Sequence, residues 1–85
     1  MTLFVANFDE SVTEDDLKEL FWEFGTVDDV TIWYNSRTGE SEGFGFIDMP
    51  NDSEAEEAIE RLNGRRWNGK RLKVNKKLSR RTGRQ

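Results

Sequence analysis

The 85-residue sequence contains no cysteine and no histidine. Without cysteine, the chain cannot form disulfides, use thiolate chemistry or hold zinc through sulfur. Without histidine, it lacks the side chain most often used as a general base near neutral pH. No apolar run approaches the ~20 residues needed to span a bilayer, and no basic segment followed by an apolar one opens the sequence. We therefore expect a soluble intracellular protein with no membrane partner, cytoplasmic if bacterial, and nuclear or cytoplasmic if it is a eukaryotic fragment.

Residues 1–60 have almost no basic side chains, and residues 61–85 have no acidic ones. Residues 1–60 carry 17 acidic side chains and only two basic ones, a net charge of -15. Residues 61–85 carry 11 basic side chains and no acidic one, which brings the formal net charge to -4. Such asymmetry is typical of proteins that contact a nucleic acid or a membrane surface through one part of the molecule, and of these two partners we expect the nucleic acid. The alternative is that the basic end only balances the acidic body.

The spacing of apolar residues predicts four strands and two helices. Residues 3–6 are a short β-prone run, and β-branched, aromatic or alternating residues mark three further strands at 27–34, 43–49 and 71–75. A polar segment from residue 7 to residue 11 ends the first strand. Helical spacing predicts a first helix that begins at Thr13 and is closed by Gly25, with Thr13 and Asp16 forming a capping box. It predicts a second helix that is capped by Asn51 or Asp52 and extends to Leu62. The order predicts an α+β, ferredoxin-like βαββαβ fold, in which a four-stranded antiparallel sheet has both helices on one face.

Three aromatic residues are predicted on the sheet face that the helices leave open. Alternation along the third strand assigns Phe44 and Phe46 to this face, and alternation along the first strand adds Phe4. Exposed rings form a platform on which unpaired bases stack, unless the end of the chain or a second copy covers them. Gly43 and Gly45 flank Phe44, where small residues would let a ligand and the underlying helix approach the strand.

These residues resemble an RNA recognition motif domain over residues 2 to about 76. The hexapeptide motif of that family matches residues 3–8 (LFVANF), and its octapeptide matches residues 42–49 (EGFGFIDM). The resemblance implies that Phe4 and Phe44 stack on consecutive bases and that Phe46 inserts between or beside sugars. It further implies that the partner is single-stranded RNA, with roughly two to four nucleotides bound. Single-stranded DNA remains open as a partner.

Further contacts are implied around the three rings. Lys73 and Asn75 on the fourth strand would border the platform, and that strand's end typically supplies hydrogen bonds to base edges. Trp33 on the second strand would either add a further stack or only pack on a neighbour, and the sequence leaves both readings open. Arg37 in the following loop is a candidate for phosphate contact.

The end of the sequence is predicted to be a basic tail. We expect residues 1–76 to form the domain and residues 77–85 to remain disordered, because they have too few apolar side chains to bury. Lys76 and Lys77 stand at this boundary and are predicted to contact RNA with the tail.

Two acidic residues depart from the family's pattern. The octapeptide usually opens with a lysine or arginine that pairs with phosphate, but Glu42 stands there, and Asp48 shares the open face. Both would repel a polyanion. The missing cation can come from Arg37, from the basic residues between positions 70 and 73, or from the tail. We expect a modest affinity that falls with salt.

A protein-binding variant of the same fold is the alternative function. Such domains capture a tryptophan-bearing peptide beside an Arg-x-Phe motif and an acidic first helix. Residues 65–67 read Arg-Arg-Trp, and the first helix is acidic, but this segment also reads as an ordinary hairpin-like connection in which Trp67 covers the core. Trp22, beside the apolar stripe of the first helix, is a second candidate for a protein contact. We otherwise expect a monomer.

No pattern of catalytic residues is found. The close carboxylates lie at adjacent positions, 15 and 16, 28 and 29, and 56 and 57, so they point to different sides of their elements. The glycines at 43 and 45 lie within a strand and lack the Lys-Ser/Thr of a phosphate-binding loop. We expect no enzymatic activity, no cofactor and no metal.

Overall fold

The computed structural model describes residues 1–77 of the chain. The two helices are α1 (Glu14–Trp22) and α2 (Asp52–Leu62). The strands are β1 (Thr2–Ala6), β2 (Asp29–Tyr34), β3 (Ser41–Asp48), β4 (Arg66–Trp67), β5 (Lys70–Arg71) and β6 (Lys73–Lys76). Four strands form an antiparallel sheet in the order β2-β3-β1-β6, and β4 and β5 form a separate hairpin. The predicted α+β, βαββαβ fold is confirmed. Residues 78–85, most of the predicted tail, lie outside the described residues.

Side-chain caps begin both helices where the sequence predicts. The hydroxyl oxygen of Thr13 accepts a 3.2 Å hydrogen bond from the Asp16 backbone N–H, and the Asp16 carboxylate accepts a 3.0 Å bond from the Thr13 N–H. At α2, the side-chain oxygen of Asn51 accepts from the Glu54 N–H at 3.1 Å. Each cap satisfies a backbone donor that the helix itself leaves without a partner, and is worth about 1 kcal/mol.

The core lies between the four-stranded sheet and the two helices. Alternate residues of the central strand, Leu3 and Val5, are completely buried, as is Ile47 of the neighbouring strand β3. Within residues 1–77 no polar or charged side chain is buried, so the ionisable groups there all reach the surface. No helix in this part of the chain is long and apolar enough to cross a bilayer. The remaining core residues are Phe8, Val12, Leu17, Leu20, Phe21, Val27, Ile32, Met49, Ala55, Ala58, Leu62, Leu72 and Val74.

The sequence predicts that the fourth strand of the sheet spans residues 71–75, and the predicted start is wrong. Arg71 belongs to β5 and pairs with β4, and the sheet strand β6 begins two residues later. Asn68 and Gly69 both have positive φ angles, 51° and 82°, which suit a two-residue hairpin turn. The hairpin-like connection predicted around Trp67 is confirmed, and Trp67 packs partly buried against the core.

The connection after β1 also differs from the prediction. The sequence predicts a polar segment there, but Phe8 is only 1% exposed. Asn7 has a φ of 65°, a left-handed conformation that asparagine tolerates better than most residues and that redirects the chain after β1. The Phe8 N–H donates a 3.3 Å hydrogen bond to the carbonyl of Gly43, whose own φ of 80° favours glycine. The turn therefore adds an aromatic ring to the core.

The structure gives Gly45 a different role from the expected approach of a helix or ligand. A Cβ atom at this position would overlap the carbonyl oxygen of Thr31 in β2. The pairing of β2 with β3 becomes irregular just beyond this point, between Ile32 and Tyr34. Gly45 is therefore required by the close approach of the neighbouring strand.

Candidate nucleic-acid interface

Three phenylalanine side chains cluster on the sheet face opposite the core, and we call them the ring platform: Phe4, Phe44 and Phe46. Phe4 lies directly opposite Phe46 in the pairing of β1 with β3. The centroid of the Phe4 ring is 6.1 Å from that of Phe44 and 5.7 Å from that of Phe46. All three are half-buried, because they pack on one another and leave part of their surface open. The structure thus brings the three predicted residues together.

Asn75 and Lys73 border the ring platform on β6. Asn75 lies opposite Phe4, and Lys73 lies opposite Ala6, in the pairing of β1 with β6. Both side chains are exposed. The amide of Asn75 offers a donor and an acceptor to a base edge, and the ammonium of Lys73 suits a phosphate. The structure places these two predicted residues at the edge of the ring platform.

Trp33 extends the aromatic surface toward β2. Its ring meets Phe46 edge to face, with centroids 6.3 Å apart and an interplanar angle of 88°. The side chain is nevertheless 48% exposed. Trp33 therefore packs on a neighbour and still presents enough surface for a further stack.

The two lysines at the end of β6 lie on different faces of the sheet. Lys76 is opposite Leu3, a core residue, so it belongs to the helix side and is not brought to the ring platform. Lys77 follows, and its backbone N–H donates a 2.8 Å hydrogen bond to the Thr2 carbonyl. The Lys77 ammonium lies 5.5 Å from the centroid of the Phe46 ring, a cation–π geometry. Lys77 therefore reaches the platform directly.

Arg37 is not brought to the ring platform by any contact within residues 1–77. It lies in the exposed loop between β2 and β3, where the side-chain oxygen of Asn35 accepts hydrogen bonds from the N–H groups of Arg37 and Thr38, at 2.8 Å and 3.1 Å. These bonds shape the loop and leave the guanidinium in solvent. The phosphate role assigned to Arg37 stays a prediction.

A groove of about 370 Å³ adjoins Phe44 and is called the Phe44 groove. Phe4 and Phe44 supply its aromatic surface, Lys70 and Lys73 supply two cations, and Glu42 supplies a carboxylate. Within residues 1–77 no ion pair joins Glu42 to either lysine. Both charge types are therefore available to a ligand in the same groove.

Two residues beside the groove stand out only in the structure: Asn7, and Lys70, which in the sequence is one of several candidate replacement cations. The Asn7 side-chain amide donates a 2.7 Å hydrogen bond to the carbonyl of Arg71. This bond ties the end of β1 to the hairpin and so fixes Lys70 beside the groove. Arg71 itself turns away, because its guanidinium donates to the Gly64 carbonyl at 3.1 Å. The sequence feature that could have identified Lys70 as a site residue is its position directly after the Asn68-Gly69 turn.

Asp48 lies on the open face, as the alternation predicts. It is opposite Thr2 in β1 and opposite Asp29 in β2, so two carboxylates stand side by side at one end of the sheet. Like charges placed directly across a pair of strands repel each other and repel phosphate. The open face is therefore cationic along β6 and acidic at its β2–β3 corner.

Asp9 and Tyr34 have pKa values that are shifted from the ordinary values of these side chains. Hydrogen bonds from Ser11, first from its hydroxyl and then from its backbone, lower the pKa of Asp9. Partial desolvation, together with a 3.0 Å hydrogen bond donated to the Glu14 carboxylate, raises the pKa of Tyr34. The Tyr34–Glu14 bond links the end of β2 to the start of α1. Neither group is part of the ring platform.

The surfaces proposed for protein contact are on the helix side. A groove of about 390 Å³ between α1 and the hairpin is lined by Trp67 and by the carboxylates of Asp16, Glu19 and Glu23, with Leu20 and Asn68. The structure thus brings Trp67 and the acidic helix together. Trp22 is 53% exposed, and the Lys18 ammonium lies 5.8 Å from the centroid of its ring.

Comparison with known proteins agrees with this architecture. The family model for the RNA recognition motif matches residues 3–73. The protein RbpA of Nostoc sp. is 43% identical over 76 residues, which cover 89% of this chain and 74% of that protein. The RNA-binding protein CP33, chloroplastic, of Arabidopsis thaliana is 41% identical over 86% of this chain and 22% of its own length. The crystal structure of RNA binding protein PG1 has a TM-score of 0.89 and 34% identity, and covers 96% of this chain and 99% of that one. The chain belongs to the RNA recognition motif family.

Proposed function

We propose that this chain binds short single-stranded RNA on the open face of its sheet. The observation that carries the proposal is the ring platform, in which side chains from two adjacent strands place their centroids 5.7 Å and 6.1 Å apart. Stacking of a base on an aromatic ring is worth about 1–3 kcal/mol and tolerates any base. Two relatives, CP33 and PG1, carry names that describe RNA-binding proteins, which supports RNA as the ligand.

Each ring has a proposed role in this binding. Phe4 and Phe44 stack on consecutive bases, and Phe46 contacts the sugars beside them. Roughly two to four nucleotides fit such a platform. Trp33 adds a stack at the β2 side, because half of its surface is open beside Phe46.

Cations on and next to β6 bind the phosphates in this proposal. Lys73 borders the ring platform, Lys70 lies in the Phe44 groove, and Lys77 lies over Phe46. Asn75 hydrogen-bonds to base edges. Because the acidic residues of the open face oppose phosphate binding, we expect the affinity to be modest and to fall as salt increases.

The proposed function is binding without catalysis, by a monomer. The family comparison supports this reading over an enzymatic one. The complete ring platform and the family match also favour RNA over capture of a tryptophan-bearing peptide, even though Trp67 and α1 form an acidic groove. Single-stranded DNA is tested alongside RNA, because stacking does not distinguish the two sugars.

The test is a titration of ¹⁵N-labelled protein with a randomised RNA tetramer pool at low salt. We expect the amides of Phe4, Phe44, Phe46 and Asn75 to shift. A DNA tetramer pool measures sugar selectivity, and a tryptophan-containing peptide tests the alternative. If the platform amides stay still with RNA while the peptide moves Trp67 and α1, the RNA proposal is wrong and the chain is a protein-binding module.

A further inference from the structure

Glu42 places a carboxylate where this binding site would otherwise be expected to hold a cation. It is an exposed residue of β3 and lines the Phe44 groove. Within the described part of the chain, its carboxylate has no hydrogen-bond or ion-pair partner. Because a carboxylate repels phosphate and only accepts hydrogen bonds, a ligand group that it favours must carry N–H or O–H donors.

The four RNA bases differ in what they offer such an acceptor. On its Watson–Crick edge guanine has two adjacent donors, the N1–H and the 2-amino group, which match the two oxygens of a carboxylate. Paired hydrogen bonds to an ionised group are the stronger and more directional kind. Cytosine and adenine offer one amino group beside acceptors. Uracil offers one N–H between two carbonyl oxygens, which a carboxylate repels. Single-stranded RNA leaves these edges available for recognition.

The Phe44 groove has the parts needed to use this difference. Phe44 supplies the surface for a stacked base, and Lys70 and Lys73 supply cations for its phosphates. Within residues 1–77 no ion pair joins Glu42 to either lysine. The carboxylate can therefore accept hydrogen bonds from a base while the lysines contact phosphates. We propose that Glu42 makes the nucleotide position at Phe44 selective for guanine, with its carboxylate accepting from N1–H and the 2-amino group. This inference rests on the proposed RNA-binding function.

The test measures binding of labelled tetranucleotides by fluorescence anisotropy. The ligands are a uridine tetramer, the four tetramers that carry one guanosine in a uridine background, and the same four with inosine. Inosine keeps the N1–H of guanine and lacks its 2-amino group. At one position we expect guanosine to bind about tenfold more tightly than uridine, with inosine between them.

The decisive variant is Glu42→Gln, which keeps the shape of the side chain and replaces one acceptor oxygen by a donor. We expect it to bind the uridine tetramer at least as well as the wild type and to lose most of the preference for guanosine. Glu40→Gln is the matched control, because it removes the same charge two residues away, in the exposed loop that precedes β3. The preference for guanosine should survive in this control.

The outcomes separate the inference from the proposed function. Binding that depends on Phe44 but has no preference for guanosine, or a preference that is unchanged in Glu42→Gln, overturns the role of Glu42 and leaves RNA binding in place. A preference lost equally in Glu40→Gln shows a general charge effect and also overturns it. If no tetramer binds the wild type at low salt, the proposed function itself fails.

Discussion

The ammonium group of Lys77 lies 5.5 Å from the centroid of the Phe46 ring. The backbone of Lys77 is held in place by a 2.8 Å hydrogen bond from its N–H to the Thr2 carbonyl of β1. Positive charge is thereby placed on the surface proposed to receive RNA. Lys76, one residue earlier, is opposite Leu3 and belongs to the other face. Two adjacent residues of the same type therefore differ in their access to the ring platform.

Lys77→Gln should weaken RNA binding several-fold, because it removes a cation from the ring platform. The dependence of log K on log salt should flatten by about 0.7, the value for one phosphate contact on a single strand. Lys76→Gln removes the same charge from the helix side and should change both quantities less. Titrations at three or more salt concentrations measure the slopes. Equal effects of the two substitutions would show that the affinity depends on the net charge of the protein and not on the position of the lysine.

Phe44→Ala should cost about 1–3 kcal/mol of RNA-binding free energy, because it removes one stacking surface. The fold should persist, since the ring is half-buried on the open face and lies outside the core. Circular dichroism checks the fold, and anisotropy measures the affinity. Trp22→Ala is the control, because it removes a larger exposed ring from α1. Wild-type affinity in Phe44→Ala at matched salt would contradict the stacking mechanism.

Removal of residues 78–85 should weaken binding and its salt dependence, because this segment carries Arg80, Arg81 and Arg84. If all three arginines contact phosphate, the salt slope should flatten by about 2. A chain in which a neutral segment of equal length replaces residues 78–85 separates charge from length. An unchanged slope in both variants would mean that these charges do not contact RNA.

Gly45→Ala should destabilise the fold by about 1–3 kcal/mol, because the added methyl group forces β2 away from β3. Gly39→Ala is an informative comparison. Its φ of 77° disfavours alanine, but an added Cβ there meets no atom within 4 Å. We expect a cost of about 1 kcal/mol for Gly39→Ala, with no loosening of the sheet. Urea unfolding gives the free energies, and hydrogen exchange should rise at β2–β3 amides in Gly45→Ala only. Equal exchange in both variants would disprove the strand-contact role of Gly45.

Local patterns were sufficient for much of this fold. Alternation separated Phe4, Phe44 and Phe46 from the core residues of the same strands, because successive side chains of a strand point to opposite faces. The caps at Thr13 and Asn51 could be predicted for a similar reason, since each hydrogen bond spans only three residues. The start of β6 could not be predicted in this way, because Arg71 and Lys73 have similar sequence surroundings. Arg71 pairs with Arg66 in the local hairpin, whereas Lys73 pairs with Ala6 of the distant strand β1.

The sequence by itself determined the order of the elements, the faces of the strands and the placement of three rings on the open side. These properties follow from interactions over a few residues and from the periods of strands and helices. Only the tertiary structure decided that Lys77 lies over Phe46, that Lys76 faces the other way, and that Glu42, Lys70 and Lys73 share one groove. Those relations depend on cross-strand register and on the hydrogen bond from Asn7 that holds the hairpin beside β1, which are contacts between segments far apart in the sequence.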